Sequence, residues 1–192
     1  WVVSKTIARL SEATDQVDFD SASFAVNLSG QSLGDDEILE FIEDEIRESN
    51  QPASCLAFES TESAAVSNLE KAQNFIDRLH GLGCSISLDD FGAGLSSFAY
   101  LKNFKVDTLK IDGGFIRDIT DNRISESMVA AITQVAKVME LQTVAEYVEC
   151  DDTRDLVLSI GVDFAQGHAI GKPRPIDDVL DELTDSAASS TA

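Results

Sequence analysis

The sequence predicts an α/β protein, and within that class a (β/α) barrel that is incomplete at its N-terminus. Three observations lead to this prediction. Short apolar or alternating runs, which are typical of strands, recur along the chain. Segments whose apolar residues have helical spacing lie between most of these runs. A polar residue also stands at, or one position beyond, the end of each predicted strand.

Six runs are predicted as strands: Phe24 to Leu28, Cys55 to Phe58, Ser85 to Leu88, Thr108 to Ile111, Thr143 to Ala145 and Val162 to Ala165. Helical spacing is found in three sets of apolar residues: Ile38, Ile42 and Ile46; Leu69, Ala72, Ile76 and Leu79; Met128, Ile132, Val135 and Met139. Val3, Ile7 and Leu10 have the same spacing, so we expect Trp1 to lie inside a helix of a longer parent chain. Gly81 and Gly161 are predicted to end two helices.

Alternating strands and helices imply a parallel sheet, which is either an open doubly wound sheet or a closed barrel. A barrel gathers all its strand ends around one mouth, whereas an open sheet places only those near its switch point in the site. The polar residues at the six strand ends are Asn27, Glu59, Asp89, Lys110, Glu146 and Gln166. Because all six positions are polar, the barrel is favoured, and a barrel of eight strands would be two strands short here.

Composition limits the classes of protein and of partner. The chain has 192 residues, of which 43% are hydrophobic, and this predicts one domain at residues 1–183 with a disordered tail at 184–192. A net charge of −21 argues against binding to DNA, although an ordinary solvated surface gives the same charge. No apolar run approaches the roughly 18 residues of a membrane span. The spacing of Cys55, Cys84 and Cys150 indicates neither a disulfide framework nor a zinc site, which suits a reducing cytoplasm.

Two adjacent carboxylates, Asp89 and Asp90, leave an apolar strand and enter a loop that contains Gly92 and Gly94. Like charges this close are costly unless a cation neutralises them, so the pair is well placed to share hard divalent cations. Taken in isolation, an Asp-Asp pair is more often part of a helix-capping loop.

The other strand ends have two interpretations each. Glu59 ends an apolar strand as a metal ligand or as a helix cap, and Asn27 offers an amide oxygen or merely begins a turn. Glu146 is an acidic ligand or a surface glutamate. Lys110 extends its ammonium group to solvent, or it orients a water and stabilises phosphate charge. Gln166 is followed by Gly167, which either permits a ligand to approach the backbone closely or simply forms a plain turn.

Taken together, these positions resemble the EAL domain of cyclic di-GMP phosphodiesterases. The resemblance runs from Trp1 to about Pro175, and its motifs occur in the following order: Asn27-Leu28-Ser29, Glu59-Ser60-Thr61-Glu62, Asp89-Asp90-Phe91-Gly92, Lys110-Ile111-Asp112, Ala145-Glu146-x-Val148-Glu149 and Gln166-Gly167.

The resemblance implies a TIM-like barrel that holds two Mg²⁺ or Mn²⁺ ions at its C-terminal mouth. It implies that Asn27, Glu59 and Asp89 bind the first metal, and that Asp89, Asp90 and Glu146 bind the second. Lys110 would position the attacking water, and in-line attack on one phosphodiester would open cyclic di-GMP to linear pGpG.

The resemblance also assigns supporting residues and partners. Gln166, Glu149 and Asp112 would contact the substrate, although Asp112 can also simply pair with the neighbouring lysine. Glu62, with Gly92 and Gly94, would support the loop of residues 90–97. A homodimer and upstream sensor or GGDEF-type domains are expected in the parent protein.

Three features depart from the family pattern. The Glu-Ala-Leu motif, whose glutamate is a metal ligand, is absent from the chain, so we expect it upstream of Trp1 and expect this fragment to have little or no activity. Tyr147 stands where glycine is usual, and its ring could narrow the pocket or stack on guanine. Leu95 replaces a common aromatic residue. A cyclic di-GMP receptor without catalysis is the alternative function.

Overall fold

Six parallel strands form one sheet in the computed structural model, which describes residues 1–19, 22–94 and 98–190. The strands follow sequence order across the sheet. They are β1 Phe24–Asn27, β2 Leu56–Thr61, β3 Ser85–Phe91, β4 Thr108–Ile111, β5 Gln142–Ala145 and β6 Phe164–Ala165. Sequential parallel order with a helical connection after nearly every strand is the pattern of a (β/α) barrel. The predicted incomplete barrel and its six strands are therefore confirmed.

Helices cover the outside of the sheet. In the described part of the chain they are α1 Val2–Glu12, α2 Asp36–Arg47, α3 Glu62–Ser67, α4 Leu69–Leu82, α5 Phe98–Leu101, α6 Gly113–Ile116, α7 Arg123–Val138, α8 Asp151–Ile160 and α9 Ile176–Ser190. The longest of them present one apolar face to the sheet, and the side chains buried there include Ile42, Phe75, Ile76, Leu79, Val129 and Ile132. None of the described helices combines the length and apolar character that a bilayer crossing requires.

The helix ends follow ordinary capping chemistry. The Asp35 carboxylate accepts hydrogen bonds from the backbone N–H groups of Glu37 and Ile38 at the start of α2. Gly161 ends α8 in the left-handed region, with φ +97°, as predicted. The end of α4 differs from the prediction, because Gly83 rather than Gly81 adopts the left-handed conformation, with φ +94°. The helix therefore extends by two residues.

The C-terminal helix reaches into residues 184–192, the segment that the sequence predicts as a disordered tail. Helix α9 continues to Ser190, and residues 191–192 lie outside the described part of the chain. Leu180 is buried, and Asp177 accepts a hydrogen bond of 2.8 Å from Arg9 of α1. The small residues that suggested disorder include Ala187 and Ala188, and alanine has the highest helix propensity. The packed first turns allow the helix to continue through them.

A buried ion pair joins α2 to α4 behind the sheet. The Glu43 side chain is only 6% exposed and accepts two hydrogen bonds of 2.6 Å from Arg78 and one of 3.0 Å from Arg47. The hydrogen bonds from Arg78 lower the pKa of Glu43 below its ordinary value, in spite of the opposing effect of burial. The pair therefore stabilises the folded state only while Glu43 is ionised.

We expect Glu43→Gln to lower the free energy of unfolding at pH 7 by about 1–3 kcal/mol, as for hydrogen bonds to charged groups. Because the folded-state pKa of Glu43 lies below its ordinary value of 4.5, its contribution is complete above that pH and is lost as pH falls through the folded-state pKa. Urea denaturation between pH 3 and pH 7 measures both effects. Asp44→Asn is the matched control, since the Asp44 pair with Arg47 is exposed and should contribute little. An undiminished Glu43→Gln effect at pH 3 would contradict the electrostatic explanation.

Candidate active site

The polar residues at the strand ends meet at one end of the sheet, as the barrel prediction requires. A β-bulge between β3 and β4 sets their arrangement there. Leu88 pairs with Leu109 and Phe91 pairs with Ile111, so two residues of β3 lie opposite the single Lys110 of β4. The two residues are Asp89 and Asp90, and Asp90 adopts φ +55°. The bulge thus directs two successive carboxylates toward the same end of the sheet.

Lys110 lies at the centre of the site and is 4% exposed. Its Nζ atom is 2.9 Å from Glu59 Oε2, 3.0 Å from Asp89 Oδ1 and 2.9 Å from Glu146 Oε1. Burial alone would lower the pKa of Lys110, but hydrogen bonds with Glu146, Glu59 and Asp89 raise it above its ordinary value. The ammonium group therefore stays protonated and cannot act as a base at neutral pH. Of the two interpretations of Lys110 that the sequence allows, the structure excludes the one in which the ammonium group extends to solvent.

Carboxylates exceed cations at this site. Asp89, Asp90 and Glu146 each offer an oxygen within 4.8 Å of the other two, which is a spacing that can hold a metal ion. Burial, together with the charges of Asp89 and Asp112, raises the pKa of Asp90. Burial is also the largest cause of the raised pKa of Glu146, which Lys110 opposes. Negative charge is thus under-compensated around the cluster.

These residues fit a divalent metal. Asp89 Oδ1 is buried, and the cation described beside it, the Lys110 ammonium group at 3.0 Å, is shared with Glu59 and Glu146. Nearly buried carboxylates that share one cation are under-compensated, and another cation would relieve this cost. Carboxylate oxygens are also the ligands that Mg²⁺ and Mn²⁺ prefer. The oxygen donors and the surplus of negative charge both match such an ion.

A cavity of about 610 Å³ opens above this cluster. Its lining includes seven of the residues predicted for the site: Asn27, Glu59, Asp89, Lys110, Glu146, Glu149 and Gln166. The volume lies within the range of small-molecule sites, about 300–1,000 Å³. The strand-end residues therefore belong to one concave site.

Gly167 permits the backbone to close tightly beside the cavity. It has φ +156°, and a Cβ atom there would lie 2.3 Å from the carbonyl oxygen of Val148. The Val148 N–H donates to the Gln166 carbonyl, and the Ala169 N–H donates to the Val148 carbonyl. Glycine is required at this position because two backbone segments approach each other closely. The interpretation of Gln166 and Gly167 as a plain turn does not account for this close approach.

Glu62 anchors the loop after β3. Its buried carboxylate accepts a hydrogen bond of 3.1 Å from the Gly92 N–H and another from the Tyr100 hydroxyl. Gly92 has φ +99°, and a side chain there would meet the Phe115 ring at 2.7 Å. Gly94 lies in open surroundings by comparison, 4.0 Å from the Ser63 hydroxyl. The predicted loop-supporting residues lie together, whereas residues 95–97, which include Leu95, are outside the described part of the chain.

Asp112 occupies a different position from the other predicted substrate residues. Its carboxylate accepts a hydrogen bond of 2.9 Å from the Gly114 N–H and so caps α6. It does not line the cavity, and it forms none of the described ion pairs of Lys110. The short helix α6, which has no apolar periodicity long enough to predict it, accounts for the difference.

The sequence analysis missed several residues at the rim of the cavity. His168 and Lys172 line it, and His168 Nδ1 is 3.4 Å from Glu149 Oε2. The guanidinium carbon of Arg117 lies 4.0 Å from the centre of the Tyr147 ring. Basic residues are scarce in this chain, which has 14 of them against 35 acidic ones. The position of Lys172 soon after a strand end could therefore have indicated that it belongs to the site. No sequence pattern joins Arg117 to Tyr147.

The fold and the site together define a class, that of α/β barrels whose mouth carries an acidic, oxygen-rich site for divalent metals. The family model described as the EAL domain matches residues 1–173. The chain therefore belongs to the EAL domain family, as the resemblance in the motifs indicated.

Known proteins of this family are similar over most of the chain. Cyclic di-GMP phosphodiesterase PdeF of Escherichia coli is 40% identical over 183 residues, which are 95% of this chain and 24% of that protein. Cyclic di-GMP phosphodiesterase PdeB of Shewanella oneidensis is 40% identical over 152 residues, or 79% of this chain and 18% of that protein. The chain thus spans about a quarter or less of the length of these relatives.

Solved structures of EAL domains have the same fold. The EAL domain of DcpA from Mycobacterium smegmatis superimposes with a TM-score of 0.88 at 30% identity and covers 96% of this chain and 83% of that one. The PaMucR phosphodiesterase in complex with c-di-GMP gives 0.87 at 28% identity, covering 93% and 72%. These structures bear out the TIM-like fold.

We expect Lys110→Met to lower the free energy of unfolding by about 3–5 kcal/mol in the absence of divalent cations, because it leaves three nearly buried carboxylates without their shared cation. Millimolar Mn²⁺ should restore part of this loss, since a ligand that binds only the folded state stabilises it. The melting temperature should therefore rise more in the variant than in the wild-type chain. Lys105→Met, which removes a pair with Asp77 that is largely exposed, is the control. Equal stability of Lys110→Met and the wild-type chain without metal would show that the ion pairs are unimportant.

Proposed function

We propose that this EAL domain hydrolyses cyclic di-GMP to linear pGpG in a reaction that depends on Mg²⁺ or Mn²⁺. The observation that supports this proposal best is the carboxylate cluster of Asp89, Asp90 and Glu146 beside a cavity of about 610 Å³. The relatives support the same substrate, because two of them are named cyclic di-GMP phosphodiesterases and the PaMucR structure is a complex with c-di-GMP.

Five side chains would hold the divalent cations. Asp89, Asp90 and Glu146 would bind one, while Asn27, Glu59 and the shared Asp89 would bind the other. Bound there, such cations would supply Lewis acidity toward water and neutralise phosphate charge. The carboxylate surplus around Lys110 supports this assignment, because the buried Asp89 oxygen shares that one ammonium group with Glu59 and Glu146.

Lys110 and Glu146 are the proposed catalytic residues. The Lys110 ammonium group would donate a hydrogen bond to the attacking water and orient it toward the phosphorus atom. The same positive charge would stabilise the negative charge that develops on the phosphate oxygens. Glu146, whose Oε1 atom is 2.9 Å from Lys110 Nζ, would accept the proton that the water gives up.

The nucleotide would contact the outer wall of the cavity. Gln166 and Glu149 line this wall and offer an amide and a carboxylate to the hydrogen-bonding edge of guanine. Asp112 is also proposed to contact the substrate, and it would do so from its position at the start of α6. We also propose a homodimer, a cytoplasmic location and upstream sensor or GGDEF-type domains in the parent protein, as the family resemblance implies.

The chain on its own should turn over slowly, because the Glu-Ala-Leu glutamate is absent from its sequence. With the chain in excess over cyclic di-GMP and Mn²⁺ present, we expect slow formation of pGpG, which chromatography detects. Asp89→Asn should abolish it and weaken Mn²⁺ binding at least about 10-fold, as loss of ligands or their supports does. Lys105→Ala, far less buried than Lys110, should retain the wild-type rate.

The same experiment separates the enzyme from the receptor. Calorimetry should show cyclic di-GMP binding whether or not turnover occurs. Binding without pGpG, with an affinity that Lys110→Ala leaves unchanged, would instead support the cyclic di-GMP receptor. Absence of both binding and turnover would contradict the proposed function altogether.

A further inference from the structure

Tyr147 is held in an unusual conformation at the wall of the cavity. Its φ of +54° is in the left-handed region, which L-residues other than glycine adopt only with strain. The backbone on both sides is fixed, since the Glu146 N–H donates to the Ile111 carbonyl and the Val148 N–H donates to the Gln166 carbonyl. Strain that flanking hydrogen bonds maintain at the edge of a site points to a use for the side chain it directs there.

The ring of Tyr147 is also fixed by what it contacts. The Arg117 guanidinium carbon lies 4.0 Å from the ring centre, in stacking and cation–π range. The ring also packs against Gly113, where a Cβ atom would clash with Tyr147 Cδ2. Only glycine leaves room for the ring at that point. Tyr147 is therefore a rigid aromatic group with little conformational freedom to lose on binding.

Enough of the ring stays open to receive a ligand. Tyr147 is 49% exposed and lines the cavity, and it directly follows Glu146, one of the carboxylates of the cluster. Half-exposed aromatic rings beside a phosphate-handling centre are suited to stack on planar bases. Arg117 forms an ion pair with none of the described carboxylates, so the ring is its one described partner.

We propose that Tyr147 is a base-stacking subsite for a purine of the ligand, and that Arg117 is a positioning residue that holds its ring. The inference rests on the proposed function, because the purine is a guanine of the cyclic dinucleotide. Tyr147 then adds affinity through a planar surface and leaves the chemistry of the phosphate to the carboxylate cluster.

The test is calorimetric titration of the full 192-residue chain and its variants with cyclic di-GMP. We expect Tyr147→Leu to weaken binding roughly 5- to 100-fold, the range of one base stacked on an aromatic ring. Tyr147→Phe should stay within about 3-fold of the wild-type chain, because the ring remains. Lys137→Gln is the charge control, since Lys137 lies in the last turn of α7, near the opposite end of the sheet.

A double-mutant cycle tests the role of Arg117. If Arg117 acts through Tyr147, then Arg117→Gln weakens binding in the wild-type chain but not in the Tyr147→Leu background. Equal weakening in both backgrounds would overturn the positioning role, because it means that Arg117 contacts the ligand itself. A merely structural role predicts a lower melting temperature with unchanged affinity.

Tyr147→Gly guards against misfolding, because glycine adopts the left-handed region without strain. We expect it to bind as weakly as Tyr147→Leu while its melting temperature stays close to that of the wild-type chain. Unchanged or tighter binding by Tyr147→Gly and Tyr147→Leu would overturn the inference, and tighter binding would show that the ring obstructs the cavity. If the wild-type chain binds no cyclic di-GMP, both the proposed function and the subsite are contradicted. If all variants bind equally well, only the subsite is contradicted.

Discussion

One ammonium group lies between three carboxylates at the mouth of the barrel, and the curvature of the sheet depends on this arrangement. Glu59 lies in β2 and Glu146 follows β5, three strands apart, which in a flat sheet means about 14 Å. Both nevertheless approach Lys110 Nζ to 2.9 Å. Side chains from β2 and β5 therefore converge on one cation beside β4, as expected where the strand ends surround a common mouth. Because burial of charge is costly unless it is paired, any flattening of the sheet would expose four carboxylates to one another with less compensation.

Irregular backbone is concentrated at the same end of the sheet. Asp90, Gly92, Tyr147 and Gly167 all have positive φ, and all follow or end strands at the mouth. At the opposite end, the positive φ values of Gly83, Glu140 and Gly161 lie where helices end. The positive φ values thus serve helix termination at one end of the sheet and the placement of site residues at the other. This division is expected where catalytic or binding side chains must be aimed, since strain persists only when the surroundings enforce it.

The sequence predicted the structural features that follow a periodic pattern. It did not predict the features that depend on a single residue position. Alternating runs located all six strands, and the polar residues at their ends located six residues of one cavity, because parallel strands must end together. The bulge that places Asp89 and Asp90 opposite Lys110 is a matter of one extra residue, which no periodicity reveals. Helix α6 is too short for an apolar pattern, so the capping role of Asp112 was not apparent. Arg117 and Tyr147 are far apart in the sequence and become neighbours only in the folded chain. The sequence pattern also did not show that α9 is anchored by Leu180.

The charge of the chain makes recognition of an anionic ligand a two-part problem. A net charge of −21 repels phosphates, and the cavity is lined by four carboxylates, Glu59, Asp89, Glu146 and Glu149, against two lysines, Lys110 and Lys172. In the proposed function, cations would have to offset this surplus before a phosphodiester approaches the cluster, so that half of recognition would depend on metal. Stacking on Tyr147 does not carry this condition, because the attraction between a planar base and an aromatic ring is not governed by net charge. The proposed stacking would therefore give the cavity an affinity for the base that persists where the affinity for the phosphate is weakest.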